Sequence, residues 1–436
     1  MTNTRMISGM ERASVNTLSK LAVYGVTMLA LASCDTNVTN PGPVQDEFLD
    51  REEAYPAVVS GMGRALAQAT NWIGYTSAAV AREIHPSGST GSFGITVFWQ
   101  NGVLDATDRD LNVHWNEAQR ARWFAEDGIR RMEEGGASTA LLSEAYLWAG
   151  YANRLLGETY CEAVIDGGAP EASTVFLDRA EGWFTKAAQA GSGDVATAAM
   201  AGRASVLADL GQWAAAAADA ATVADGFKHV LPYFELGEND QRNRIQYASY
   251  AEPYKAHTQW NTWVDAYYRA TADPRVPFME TTEVGDAAIG CCGRVAWWPQ
   301  QKYPETDSPI NLSSGAEMRL IQAEAYLNNV GGDWTDAMTV INALRAAAGV
   351  PDAVATTADE AWTALKRERA IVLWLEARRL PDLRRWEANA TPGDLDPLEV
   401  PGADPLTGSH LVQQDKCFPI PPSEQETNPN VPVVPG

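Results

Sequence analysis

Histidine is scarce in this 436-residue chain: five in all (His85, His114, His229, His257 and His410), with no two at a metal-ligand spacing. That argues against a histidine-built metal centre. No G-x-S-x-G, H-E-x-x-H, phosphate-binding loop or dinucleotide fingerprint occurs, so the common hydrolase, zincin, nucleotide and hydride-transfer chemistries have no anchor. Basic residues are also few, with 33 Lys and Arg against 56 Asp and Glu and a formal charge of −23. Such an acidic body should repel nucleic acid and anionic lipid headgroups, but not a neutral ligand. The acids are spread rather than run together, the pattern of a solvated surface and not of a metal store. Asp108-x-Asp110-x-Asn112 resembles half a calcium loop, but Val113 stands where the turn needs Gly. Acids there suit the first turn of a helix better. No metal and no cofactor is expected.

An apolar run, Leu21 to Ser33, follows Arg12 and Lys20 and closes on Leu31-Ala32-Ser33-Cys34. A basic stretch, an apolar stretch and small residues before a cut make a secretory signal. The run is too short for the ~20 residues that cross a bilayer. Cys34 directly after the small residues resembles a bacterial lipobox, in which the cysteine becomes the first mature residue and carries lipid. The expected organisation is a signal peptide over 1–33, a lipidated tether over 34–47 and a single domain over 48–436. Four cysteines then remain: Cys161, Cys291, Cys292 and Cys417. In an oxidising compartment an even number suggests disulfides. Adjacent Cys291 and Cys292 are poorly placed to bond each other, so each is expected to reach one of Cys161 and Cys417.

The body reads as mostly α. Leu141–Leu156 is followed by Phe176–Ala190, Val195–Leu210 by a helix from Trp213 to Ala224, and Ala316–Leu327 by a helix from Trp334 to Ala348. Ala and Gly fall where paired helices approach, and an aromatic opens each second helix. This is the logic of tetratricopeptide-like hairpins, which stack to bury their apolar faces, over about 117–227 and 313–388. Trp213 and Trp334 are expected to pack in the core.

Residues 69–116 and 228–312 break the hairpin pattern, and irregular stretches of this length are usually functional. They are rich in Trp and Tyr. A Trp face can stack on a pyranose ring or on a peptide side chain, while neighbouring amides bond hydroxyls. Trp99-Gln100-Asn101 sets both groups side by side. Trp99 is therefore the expected platform, Gln100 and Asn101 the hydroxyl partners, and Trp72, Trp260 and Trp263 further platforms. His85 and His114 fall in the same stretch and read as surface histidines.

The C-terminal third carries a set of ordered motifs. Glu368-Arg369, Leu373, Glu376, Arg379, Asp382-Leu383 and Arg385-Trp386 follow an E-R…E…R-x-x-D-L-x-R-W pattern. Upstream stand A-E-M-R-L-I-Q-A-E-A (Ala316–Ala325), Asn342 and Arg345 with Ala348-Gly349-Val350-Pro351, and Asp273-Pro274-Arg275. Downstream stand Phe418-Pro419-Ile420-Pro421, Glu424 and Asn428-Pro429-Asn430. Together these resemble the SusD/RagB family. Val372 and Ala377 depart from its second Glu and its Gly, and Pro381 should stop or kink the helix near Leu380. The resemblance implies a surface-exposed outer-membrane lipoprotein that binds oligosaccharide, or less often peptide. It would hand the ligand to a TonB-dependent SusC-like transporter, without catalysis. Read from the residues alone, Arg378 and Arg379 can pair with Asp382 on one helix face. Glu368 and Glu376, two turns apart, would lie about 12 Å from each other on one helix, too far for a glycosidase acid pair. The competing readings are a glycoside hydrolase on a helical scaffold and a tetratricopeptide lipoprotein that scaffolds outer-membrane assembly.

Overall fold

The structure is a computed structural model that describes residues 46–235, 241–289, 293–402 and 411–435. The leader, Cys34, Cys291 and Cys292 lie outside the described residues. The chain from Asp50 onward builds a unit of its own. Its helices are α1 (Tyr55–Val80), α2 (Val97–Gln100), α3 (Asn112–Glu134), α4 (Thr139–Thr159), α5 (Thr174–Ala190), α6 (Gly193–Asp209) and α7 (Trp213–Ala221). They continue with α8 (Arg244–Tyr250), α9 (Trp263–Thr271), α10 (Gly315–Leu327), α11 (Trp334–Ala347), α12 (Ala358–Val372), α13 (Arg379–Ala388) and α14 (Pro422–Thr427). Among the described residues, strand is confined to antiparallel pairs: β1 (His85–Pro86) with β5 (His257–Thr258), β2 (Glu162–Ala163) with β3 (Glu171–Ala172), and β4 (Lys228–Leu231) with β6 (Ile310–Ser314).

Local chemistry starts several of these helices. Ser138, Ser314 and Thr357 each accept a hydrogen bond from the backbone N–H three residues on, and Asp333 opens α11 with a capping box. The hairpins pair as the small residues suggest. Phe184 of α5 lies between Gly150 of α4 and Gly202 of α6. A Cβ on either glycine would come within 2.6 Å of its ring, so only glycine lets both helices close on it. The second and third hairpins share one core: Ala201, Ala204 and Leu207 of α6, Ala216 and Ala220 of α7, and Met318 and Ile321 of α10, with Trp213 packed on its edge. Burying such faces between neighbours is what holds a stack of hairpins together.

Two local expectations differ from the outcome. Residues 69–80 are not loop but the second half of α1, whose buried face includes Ile73, Tyr75 and Val80. The stop at Pro381 also falls elsewhere. Helix α12 ends at Val372, and residues 373–378 form a link in which Leu375 and Ala377 have φ of 61° and 60°. Pro381 then sits in the first turn of α13, where no backbone N–H is required. The left-handed backbone at Ala377 is a conformation that glycine would take without strain.

Cysteine pairing also departs from expectation. Cys161 is bonded to Cys417, so neither is left to reach Cys291 or Cys292. The backbone brings them together. The Phe418 N–H donates to the Thr159 carbonyl (2.8 Å) and the Cys161 N–H to the Phe418 carbonyl (3.0 Å), laying the C-terminal segment beside the end of α4. The F-P-I-P…E…N-P motif then locks this segment. Trp115 donates its indole N–H to Glu424 (3.0 Å), and the Asn428 amide donates to Glu424 (2.8 Å) and to the Gly168 carbonyl (2.9 Å).

Candidate functional site

Thr96 caps the one-turn helix α2, accepting from the Trp99 N–H. That turn sets which side chains face outward. Trp99 points inward and is 1 % exposed. Its indole N–H donates to Asp108 (3.0 Å), and its ring meets His114 edge-on with centroids 5.3 Å apart. Asp108 also caps the turn before α3, as its acidic run suggests. Gln100 is buried and donates to Thr90 Oγ1. The expected platform and its amide neighbour thus belong to an internal network, because both already spend their polar atoms on the protein. His85 and His114 are fully buried rather than on the surface. His114 Nε2 lies 2.7 Å from the Thr76 hydroxyl, and burial, with Arg244 nearby, pushes its pKa down to about 3, so the ring is neutral.

The other candidates divide. Trp263 at the start of α9 is 0 % exposed, under the guanidinium of Arg367, and offers no platform. Trp72 is half-buried. The Arg244 guanidinium lies 3.4 Å from its ring centroid, and the backbone at Gly94 presses on its rim, so that face is taken. Trp260 is half-buried, its backbone N–H donating to Thr258 Oγ1 (3.0 Å); the Trp298 backbone N–H donates to the same oxygen (2.9 Å). The Asn101 carbonyl accepts from Val412 (3.0 Å), while its side-chain amide bonds no described residue.

The residue that sequence reasoning missed is Phe98. It is 62 % exposed beside Asn101, with Val97 also exposed. The signal was Thr96. A cap there starts a helical turn, which places Val97 and Phe98 opposite Trp99 and Gln100.

The carboxylates of the E-R…R-W motif do not form a catalytic pair. Glu368 is buried and paired with Arg275 and with Arg345 (3.2 Å), while Glu376 is paired with Lys302 (2.8 Å) and accepts from Asn311 (2.7 Å). Glu368 lies on α12 and Glu376 in the link that follows it, so spacing along one helix does not describe them. Asp382 is held by Arg369 (2.7 Å) and Arg385 (3.0 Å) rather than by Arg378 or Arg379. Burial opposes its charge, yet those two guanidiniums keep its carboxyl below the usual range. Arg378 turns to Glu158 (2.5 Å) and Glu317 (3.0 Å), and Arg379 to Glu399 (2.7 Å). Arg385 also engages Glu324, which accepts the Trp386 indole N–H (2.8 Å). The arrangement ties α12 and α13 to α4 and α10, with each buried charge met by an opposite one.

This mostly helical body with its motif-built ion network is similar to known proteins. Residues 315–436 match the SusD family model. The fold is shared over most of the chain with SusD superfamily proteins from Parabacteroides distasonis (TM-score 0.67, 13 % identity, 88 % of this chain and 99 % of that one) and Bacteroides thetaiotaomicron (TM-score 0.65, 14 %, 88 % and 99 %). A protein described as a SusD-like carbohydrate binding protein, from Bacteroides vulgatus, is similar at TM-score 0.55 and 15 % identity, covering 77 % of this chain and 83 % of that one. No curated protein matches the chain by sequence. The C-terminal match to the SusD family model and the fold shared with SusD superfamily structures are what this chain has in common with them.

Proposed function

We propose that the protein binds a neutral oligosaccharide at its loop-rich face and passes it to a TonB-dependent SusC-like transporter. In this reading Cys34 carries the lipid that holds it to the outer membrane, on the cell surface, and no bond in the ligand is broken. The observation that carries the reading is Phe98, an aromatic face open to solvent next to the Asn101 amide, which bonds no described residue, on a SusD fold. An apolar ring face beside a hydrogen-bonding amide suits a pyranose, and Trp260 offers a further half-open ring. The relative from Bacteroides vulgatus described as carbohydrate-binding supports the same ligand class. The carboxylates that a glycosidase would use are each neutralised by cations, which favours binding over hydrolysis. A body of charge −23 disfavours acidic polysaccharides.

Calorimetry against a panel of neutral glycans, acidic glycans and peptides tests this. Neutral glycans should bind, uncleaved, and Phe98→Ala should weaken them about tenfold. Binding of peptides alone would overturn the ligand class, and glycan cleavage would favour the hydrolase reading. Co-purification from native outer membrane tests the partner. A wild-type protein that brings down no TonB-dependent transporter, or a Cys34→Ala variant that stays acylated, counts against the delivery scheme.

A further inference from the structure

A cleft of about 550 Å³ opens between α1, α4 and the segment after β4. Its size falls in the range of small-ligand sites. Arg64 and Gln68 of α1, Glu144 of α4 and Gln241 line it, and none of their side chains has a hydrogen bond or ion pair among the described residues. Trp148, also on the wall, has a buried indole N–H with no acceptor among the described residues. A buried indole N–H normally finds one. Phe234 closes the rim and is 50 % exposed.

The walls are fixed in advance. The Trp148 ring lies on the backbone of Gly63, where a Cβ would stand 3.0 Å from Cζ2 and 3.1 Å from Cε2, the carbon that carries the idle N–H. The Tyr233 hydroxyl donates to the Ala67 carbonyl (3.1 Å), and the Phe234 N–H to the Gln241 carbonyl (2.8 Å). A larger cleft of about 650 Å³ beside α10 and α11 offers a contrast. There Lys302 is bound to Glu376, Arg275 to Asp273 and Glu368, and Arg319 to the carbonyls of Ala220 and Val223. Those groups serve the protein, whereas the polar side chains named in the first cleft bond no described residue.

We infer that the first cleft is a second glycan-binding site, built on the helical scaffold and separate from the Phe98 face. The inference rests on the proposed carbohydrate reading. The described lining holds one cation and one anion, Arg64 and Glu144, a balanced pair that suits a neutral ligand. Aromatic walls, two amides, a guanidinium and an indole donor match a ring with one apolar face and hydroxyls around its edge. Two sites on one chain raise the effective concentration for a glycan long enough to reach both.

The test is titration of the full mature chain with short and long neutral glycans, by calorimetry and by ¹⁵N-indole NMR. The Trp148 N–H signal, assigned with Trp148→Phe, should shift. Short glycans should bind with a stoichiometry of two, falling to one in either Phe234→Ala or Phe98→Ala. Phe234→Ala should weaken a long glycan about tenfold. Phe234 and Arg64 are exposed, so their alanine variants keep the fold. A stoichiometry of one that neither Phe234→Ala nor Arg64→Ala disturbs would overturn the inference and leave the proposed function standing. Peptides that shift Trp148 while glycans do not would make the cleft a peptide site and overturn it as well. No glycan binding by the wild type would remove the proposed function and this inference with it.

Discussion

Replacing Trp99 with alanine separates a structural aromatic from a ligand-binding one. The side chain is almost wholly buried, its indole N–H satisfies Asp108 and its ring packs on His114. Truncating a buried Trp costs about 3–5 kcal/mol. Unfolding entropy near 2.1 cal/mol/K per residue, over a body of about 390 residues, amounts to roughly 0.8 kcal/mol/K. A cost of about 4 kcal/mol therefore lowers Tm by about 5 °C. Phe98 is 62 % exposed, and its truncation should change stability by less than about 0.5 kcal/mol, a Tm shift under about 1 °C. Glycan affinity should move the other way: unchanged in Trp99→Ala at temperatures where it is folded, and about tenfold weaker in Phe98→Ala. Scanning calorimetry and titration calorimetry on both variants read this out. A Trp99→Ala protein with wild-type Tm and no glycan binding would refute the burial argument and restore Trp99 as the platform.

Three further outcomes follow from the frame. The Cys161–Cys417 bond closes a separation of 256 residues, for which chain entropy gives about 5 kcal/mol. The Cys161→Ser/Cys417→Ser protein should melt about 6 °C lower, and non-reducing peptide mapping that joins Cys161 to Cys291 or Cys292 would contradict the pairing. Glu83 is buried; its Oε1 accepts from the Leu375 N–H (2.7 Å), Oε2 has no partner among the described residues, and burial pushes its pKa up to about 7 from an ordinary 4.5. Folding is easiest with Glu83 protonated, so stability is full below pH 4.5 and falls by about 3 kcal/mol as pH rises to about 7. Glu83→Gln should remove that loss in urea titrations at pH 5 and 7.5; an unaltered difference between the two would count against it. Asp382→Asn leaves Arg369 and Arg385 short of a buried counter-charge and should cost about 3–5 kcal/mol with glycan affinity unchanged, as melting and titration together will show.

The hairpins were legible because their determinants are local. Caps such as Ser138 and Asp333 sit beside the turns they make, and small residues such as Gly150 and Gly202 mark close approach within a hairpin or its neighbour. The candidate site was less legible because exposure is not local. Whether Trp99 faces water depends on Asp108 and His114, and whether Trp263 does depends on Arg367 from a distant helix. Composition reports that aromatics are abundant in these segments, not which way they turn. The disulfide shows the same limit. Four cysteines allow several connectivities, and the choice was made by the backbone pairing of Thr159 and Cys161 with Phe418, far apart in sequence.

The misassigned ion pairs show why a motif can identify a fold without explaining it. Reading Arg378, Arg379 and Asp382 as neighbours on one helix face supposes an unbroken helix. The link at 373–378 redirects each side chain instead, so Arg369 on α12 meets Asp382 on α13, and Arg378 reaches back to Glu158 on α4. Every charged residue in this set is buried, and a buried charge is tolerable only if its partner is held in place. The partners lie on α4, α10 and the segment before α14, so the network is satisfied only when the helical stack and the C-terminal segment are both in register. The motif residues therefore specify the frame. Phe98, Asn101, Arg64 and Phe234 have no such obligations. Their side chains lie at or near the surface and can change without stranding a buried charge, which leaves ligand choice to positions on which the frame does not depend.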